Sequence, residues 1–228
     1  MELMSVLESE GCCLAKRLFE PVVVRDLIKD LDGREGLTRR GNAFARRNLL
    51  DETTVREVAE RDEVRAVVEK ALSSDAVAVR GLLFDKTPAA NWTVPWHQDR
   101  AIAVTERQDV DGYGPWSLKQ GVVHVQPPVE VLRRMVTVRI HLDDCFDDNG
   151  PLRVVPGHHH NLLDPAALDT AVAAGPERRL TGAAGSAVVM RPLTLHASSP
   201  AKSPSHRRVL HLEFSDASLD GGLRWAFA

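Results

Sequence analysis

The spacing of apolar residues changes once along the chain, near residue 75. Before that point apolar residues recur at intervals of three and four, as in Val23 to Leu31 and Val55 to Leu72, which predicts amphipathic helices. After it, the apolar runs are short, rich in β-branched residues and separated by Gly, Pro and Asp, which predicts strands. We therefore expect a mainly β protein with flanking helices, a single domain over residues 1–228 that divides into a helical N-terminal part (1–74) and a β core (76–215).

The predicted strands are too numerous and too close together for a protein of alternating strands and helices. They are Val77–Phe84, Val94–Gln98, Val122–Val125, Val136–Leu142, Leu152–Val155, Ala187–Met190 and Arg208–Phe214. Such a series favours antiparallel pairs closed into a sandwich or barrel. Two longer segments, 105–121 and 158–184, are predicted as loops at the mouth of the barrel, either covering a site or merely connecting strands.

Composition excludes several classes of protein. With 43% apolar and 27% charged residues the chain can bury a core, and a formal charge of −3 gives no general reason to bind nucleic acid or an anionic membrane. No run approaches the roughly 20 apolar residues of a membrane span. Three cysteines, with Cys12 next to Cys13, cannot form a disulfide framework, so we expect a reducing cytoplasm. Monomer and homodimer are equally compatible with the sequence.

The strongest chemical signal is a His-x-Asp pair, His97 and Asp99, at the end of a predicted strand. Side chains two apart on a strand share a face, so an imidazole and a carboxylate there can reach one metal ion. The pair alone is weak evidence, because roughly 0.7 such pairs are expected by chance in a chain of this composition. His141 and Asp143 have the same spacing.

Two further residues distinguish the first pair from the second. His196 follows the apolar run Ala187–Met190 and can supply a second imidazole, which completes the two-histidine, one-carboxylate set of mononuclear iron oxygenases. Arg207 follows eleven positions later, and its guanidinium suits bidentate binding of a dicarboxylate cosubstrate. Arg208 is the alternative, since neighbours on a strand face opposite sides; the spacing favours Arg207.

These residues, together with Asn149-Gly150-Pro151-Leu152 and Val154-Val155-Pro156-Gly157-His158, resemble the phytanoyl-CoA dioxygenase family of Fe(II)- and 2-oxoglutarate-dependent oxygenases. The resemblance covers about residues 76–215. It implies a double-stranded β-helix, a jelly-roll barrel of the cupin type, with an N-terminal helical annex. One departure is that the family often has Pro-Gly-Ser-His where this chain has Pro156-Gly157-His158-His159, a turn that should leave the metal set unchanged.

The resemblance also implies roles for individual residues. His97, Asp99 and His196 would bind Fe(II), Arg207 would bind the distal carboxylate of 2-oxoglutarate, and the hydroxyl of Ser198 would assist it. The reaction would consume O2 and 2-oxoglutarate, release succinate and CO2, and hydroxylate a small molecule. Because related halogenases lack the carboxylate ligand, a retained Asp99 indicates oxygenation.

Several other residues are second-rank candidates. Arg139 shares a strand face with Thr137 and His141; this polar face lines either the pocket or the solvent, and in the first case Arg139 would contact the cosubstrate. Lys86 and Arg80 are either substrate or cosubstrate contacts or surface charges. Aromatic residues expected to cover the substrate are Trp96, Trp116 and Trp92.

Two other functions remain compatible with the same barrel. A cupin-like metal enzyme that does not use 2-oxoglutarate would have no need of Arg207. A barrel that binds a small molecule or a protein without catalysis would have no need of an intact triad.

Overall fold

The computed structural model describes residues 2–32, 39–40, 43–202 and 205–228. Its helices are α1 (Glu2–Glu10), α2 (Pro21–Asp32), α3 (Thr53–Ala59), α4 (Asp62–Ala71), α5 (Val129–Arg133) and α6 (Pro165–Ala174). The N-terminal prediction covered residues 1, 33–38 and 41–42, which lie outside the described residues. Among the helices described, none has the length and apolar character needed to cross a lipid bilayer.

The strands form three antiparallel sheets. They are β1 (Cys12–Ala15), β2 (Arg39–Arg40), β3 (Ala43–Arg46), β4 (Val77–Lys86), β5 (Val94–His97), β6 (Ile102–Val104), β7 (Trp116–Lys119), β8 (Val122–Val125), β9 (Met135–His141), β10 (Leu152–Val155), β11 (Arg178–Leu180), β12 (Ala187–Met190), β13 (Leu195–Ser198) and β14 (Arg207–Ser215). The major sheet has the order β1-β12-β9-β14-β4-β3-β2, the minor sheet β11-β10-β13-β5, and a small sheet β6-β8-β7. A mainly β architecture is therefore confirmed.

The major sheet has one apolar and one polar face because its strands alternate with a period of two. Val138, Ile140, Leu210 and Leu212 face the helices and form one buried cluster with Val55 and other residues of α1 to α4. Burying each such side chain is worth about 1.5–3 kcal/mol. The opposite face of the same strands is polar and looks toward the minor sheet. The helices thus cover the outside of the barrel and leave the interior free for a site.

Three local differences from the sequence expectation have simple causes. The N-terminal part is not wholly helical, because β1 adds an edge to the major sheet by pairing with β12. The helical pattern from Val55 to Leu72 is divided between α3 and α4 by a turn at Glu60 and Arg61. The segments 105–121 and 158–184 are not simple loops: the first contains β7, and the second contains α6 and β11.

Candidate metal and cosubstrate site

Strand pairing brings the two histidines of the predicted triad together. In the β5–β13 pair His97 lies opposite His196, and their ring centroids are 4.1 Å apart. Asp99 follows just beyond the end of β5, where its backbone N–H donates to the carbonyl of Pro192 at 2.9 Å. Residues almost a hundred positions apart in the chain therefore share one end of the interior.

The three side chains converge as a metal-binding set. Asp99 Oδ1 lies 3.7 Å from His97 Nε2, and Asp99 Oδ2 lies 3.6 Å from His196 Nε2. One ligand atom from each residue lies within 4.8 Å of the others, and this is the one such group found in the described part of the chain. Two imidazoles and one carboxylate with open space beside them are the donor set of non-haem iron enzymes.

Backbone carbonyls fix the orientation of both imidazoles. His97 Nδ1 lies 2.8 Å from the carbonyl of Pro95, and His196 Nδ1 lies 2.8 Å from that of Thr194. A carbonyl only accepts, so each Nδ1 carries the hydrogen and each Nε2 lone pair is left for an ion. This carbonyl–histidine arrangement is the usual support of a metal-ligating imidazole.

The electrostatic surroundings favour the protonation states that a metal requires. Burial by itself would raise the pKa of Asp99, but the imidazoles of His196 and His97 lower it to about 2. Burial lowers the pKa of His196 to about 4, against a smaller opposing effect of Asp99. At neutral pH the carboxylate is therefore charged and the His196 imidazole neutral, as needed for coordination.

The triad opens into a cavity of about 490 Å³ between the major and minor sheets. Arg207 and Lys86 lie directly opposite each other at one end of the β4–β14 pair, and they are only 5% and 1% exposed. Lys86 Nζ donates to Ser198 Oγ at 2.7 Å and also contacts the carbonyl of Ser199. Burial, followed by the charge of Arg207, lowers the pKa of Lys86 to about 7.

Arg207 is incompletely paired within the protein. Its Nε is buried and has no hydrogen-bond partner among the described residues. Arg208 points to the other side of β14, where it makes ion pairs of 2.8 Å with Asp143 and 2.6 Å with Asp32. Arg207 therefore faces the cavity and Arg208 does not, the arrangement favoured by the sequence spacing.

A polar network crosses three strands on the cavity wall. Arg139 NH1 donates to His211 Nδ1 at 2.7 Å, His211 Nε2 donates to Glu213 Oε1 at 3.1 Å, and Arg80 NH1 donates to the same oxygen at 3.1 Å. Arg80 and Arg139 were candidates from sequence; His211 and Glu213 were missed. Strand alternation could have identified them, because positions 207, 209, 211 and 213 of β14 lie on one face.

The second His-x-Asp pair is a structural feature. His141 is buried, its Nδ1 lies 3.0 Å from Ser186 Oγ, and Asp143 is occupied by Arg208. Burial lowers the pKa of His141 to about 4, so it is neutral. Neither His141 nor Thr137 lines the cavity, although the polar face they share with Arg139 does point into the barrel.

The tryptophans separate into two groups. Trp92 lines the cavity, with its ring centroid 5.5 Å from Lys86 Nζ. Trp96 packs outside the cavity beneath Arg153, at 5.0 Å, because it alternates with the inward-facing His97. Trp116 packs beside Arg107, at 5.8 Å, in the cluster under the small sheet. Trp92 therefore lines the cavity, whereas Trp96 and Trp116, which were expected to cover the substrate, do not.

Gln98, between two members of the triad, was also missed. It is buried, and its amide nitrogen donates to the carbonyls of Leu193 at 2.8 Å and Asn161 at 2.9 Å. Its amide oxygen accepts from the N–H of Leu163 at 2.9 Å. This one side chain ties the loop before α6 to the segment before β13, so it stabilises the backbone on both sides of the triad.

The sequence of this chain is similar to that of a known hydroxylase. L-proline trans-4-hydroxylase of Streptomyces griseoviridis is 31% identical over 148 residues, which cover 53% of this chain and 47% of that protein. The match thus spans about half the length of this curated relative.

Solved structures share the fold at low identity. AviO1 from Streptomyces viridochromogenes Tue57 superposes with a TM-score of 0.67 at 22% identity, covering 96% of this chain and 95% of that one. EctD from S. alaskensis with bound Fe superposes with a TM-score of 0.73 at 15% identity, covering 100% and 82%. The predicted double-stranded β-helix is thereby confirmed.

The family described as Phytanoyl-CoA dioxygenase (PhyH) matches residues 8–209, which include the triad, Ser198 and Arg207. That range is wider than the β core that carries the sequence resemblance, because it also includes most of the helical part. The chain belongs to the phytanoyl-CoA dioxygenase (PhyH) family.

Proposed function

We propose that this protein is an Fe(II)- and 2-oxoglutarate-dependent dioxygenase that hydroxylates a small molecule. The observation that carries the proposal is that one cavity holds the His97–Asp99–His196 set at one point and a buried, incompletely paired Arg207 at another. When bound, iron with 2-oxoglutarate and O2 supplies the oxidation of an unactivated C–H bond, with release of succinate and CO2. The hydroxylase relative from Streptomyces griseoviridis supports this reaction class.

His97, Asp99 and His196 are the proposed iron ligands. Both Nε2 atoms and the carboxylate are within reach of one ion, and the Nδ1 hydrogens are held by carbonyls. The set leaves coordination positions open, as an oxygenase requires. Since the carboxylate is retained, we infer oxygenation of the substrate rather than halogenation.

Arg207, Lys86 and Ser198 are the proposed site of the distal carboxylate of 2-oxoglutarate. Two buried cations facing each other across a strand pair are costly without an anion between them. Burial lowers the pKa of Arg207 as well as that of Lys86, which is the electrostatic expression of this cost. A carboxylate would remove the cost and give the buried Arg207 Nε an acceptor.

Arg139 is proposed to support the cosubstrate from the cavity wall. It lines the cavity, and its link to His211 holds the guanidinium in place. Burial, with Arg207 as the next cause, lowers its pKa to about 10, so it remains positively charged at neutral pH. A positive charge in the same cavity as the metal ligands and Arg207 suits a dianionic cosubstrate.

A reducing compartment is proposed for the protein. Its three cysteines, Cys12, Cys13 and Cys145, are all buried and unpaired. Burial raises the pKa of the Cys12 thiol to about 11 and that of Cys13 to about 12, so both are unreactive.

The basic side chains of the cavity face a small-molecule space, which fits neither a nucleic acid nor a membrane as partner.

Anaerobic spectroscopy tests the proposal. Addition of Fe(II) and 2-oxoglutarate to the wild-type protein should produce a weak metal-to-ligand absorption band in the visible, and O2 should then yield succinate. Asp99→Ala should produce neither. A well-folded wild-type protein without the band would favour the cupin-like or non-catalytic alternatives and overturn the proposal.

A further inference from the structure

The side chains that line the cavity carry more positive charge than the cosubstrate and the metal together would neutralise. Seven basic side chains and two carboxylates line it, although the whole chain has a formal charge of −3. Iron(II) is a dication and 2-oxoglutarate a dianion, so the two together leave the excess unchanged. A concentration of one sign of charge in a cavity attracts ligands of the opposite sign.

The unused charge lies at the end of the cavity away from Arg207 and Lys86. On the β4–β14 pair, Lys86 lies opposite Arg207, whereas Arg80 lies opposite Glu213, six residues along each strand. Six residues of strand span about 20 Å. Arg80 therefore belongs to a second, separate group of charges in the same cavity.

Lys119 belongs to this second group. It ends β7, next to the tight turn in which Gln120 and Gly121 have φ values of 51° and 81°, so the hairpin fixes the direction of its backbone. Its side chain lines the cavity but makes no hydrogen bond or ion pair with the described residues. Arg80 and Arg47 line the same cavity as Lys119. Burial, followed by the charges of these two residues, lowers the pKa of Lys119.

Glu213 neutralises this group only in part. Its Oε1 already accepts hydrogen bonds from both Arg80 and His211. One carboxylate therefore faces Arg80 and Lys119, and burial would raise its pKa if Arg80 did not lower it. The remaining N–H groups of Arg80 and the ammonium of Lys119 are available to an anion from the cavity.

We propose that the substrate carries a carboxylate or phosphate group, which binds between Lys119 and Arg80 while the carbon to be oxidised lies toward His97, Asp99 and His196. The inference rests on the proposed function, because it assumes that the triad is the reacting centre. Charge-assisted hydrogen bonds from two basic side chains would fix one end of the substrate and so select the C–H bond that faces the metal.

Titration with inorganic sulfate tests the anion site directly. Protein loaded with Zn(II) and saturating 2-oxoglutarate is used, since zinc gives no turnover and the cosubstrate fills the Arg207 end. The wild type should bind one further sulfate, and Lys119→Gln should weaken it at least tenfold without changing the affinity for 2-oxoglutarate. Arg107→Gln, which removes one positive charge from an exposed residue outside the cavity, should bind sulfate as the wild type does.

The outcomes separate this inference from the oxygenase proposal. A wild type that binds no additional sulfate, or a Lys119→Gln variant that binds it equally well, overturns the anion site. The Fe(II)–2-oxoglutarate absorption band, measured on the same preparations, tests the oxygenase independently. In a panel of carboxylates and their matched carboxamides, only the carboxylates should stimulate succinate release. A carboxamide that stimulates release as strongly as its carboxylate overturns the inference. If no compound of the panel stimulates release, the sulfate titration alone decides the question.

Discussion

Arg207 and Lys86 lie directly opposite each other on β14 and β4, so that two buried cations face one another, and neither forms an ion pair with a carboxylate of the described residues. An ordinary protein interior avoids such a pair, because each charge loses its hydration and repels the other. Here Ser198 and the Ser199 carbonyl accept from Lys86, while the Arg207 Nε stays unpaired among the described residues. The pair thus has the form of a site prepared for an anion.

Arg207→Gln should weaken 2-oxoglutarate binding by about 10- to 100-fold, since a hydrogen bond to a charged group is worth about 1.5–3 kcal/mol. Arg208→Gln is the matched control on the other face of the strand. It should leave 2-oxoglutarate affinity unchanged but lower the free energy of unfolding by about 2 kcal/mol, through loss of the Asp143 pair. Anaerobic titration of the visible band and denaturant unfolding measure the two effects; equal loss of affinity in both variants would contradict the assignment.

Affinity for 2-oxoglutarate should fall as pH rises above about 7. The pKa of Lys86 is lowered to about 7, by burial and then by Arg207. The ammonium form binds the carboxylate, so binding takes up a proton above this pH, and affinity should decrease by up to tenfold per pH unit. The dissociation constant measured from pH 6 to 9 checks this. Lys86→Met should bind more weakly with a flat profile; a slope that persists in this variant would assign the titration elsewhere.

Gly150→Ala should disturb the cosubstrate end, whereas Gly157→Ala should not. Both glycines have left-handed backbone, with φ of 75° and 87°, so each substitution costs about 1–2 kcal/mol of strain. At Gly150 the new Cβ would also lie 2.6 Å from the Ser199 carbonyl oxygen and 2.9 Å from Lys86 Nζ, whereas at Gly157 nothing lies within 4 Å. Thermal unfolding should therefore show a larger loss of stability for Gly150→Ala than for Gly157→Ala. In the 2-oxoglutarate titration, only Gly150→Ala should lose affinity.

His97→Ala should abolish iron binding and succinate production, while His141→Ala should retain both. Only His97 contributes to the converging donor set; His141 is bonded to Ser186 outside the cavity. Iron content after gel filtration and succinate released without added substrate provide the measurement. If His141→Ala lost iron while remaining folded, the choice between the two His-x-Asp pairs would be reversed.

The strand pattern and much of the candidate site could be predicted from the sequence because they depend on local periodicity. Val122–Val125, Leu152–Val155 and Ala187–Met190 are bounded in the structure as predicted, since β-branched runs between turn residues define their own limits. His97 and Asp99 could be placed together for the same reason, as side chains two apart share a face.

Only the tertiary structure decided which distant residues meet and which face of each strand looks inward. The pairing of β5 with β13 selects His196 as the partner of His97, and the register of β4 with β14 sets Lys86 against Arg207. It also turns Trp96 outward and brings Lys119 into the cavity. These outcomes depend on pairing between segments far apart in the chain, where a shift of one residue reverses every side chain. The apolar pattern of one strand indicates which of its faces is buried, but it does not specify which distant strand pairs with it.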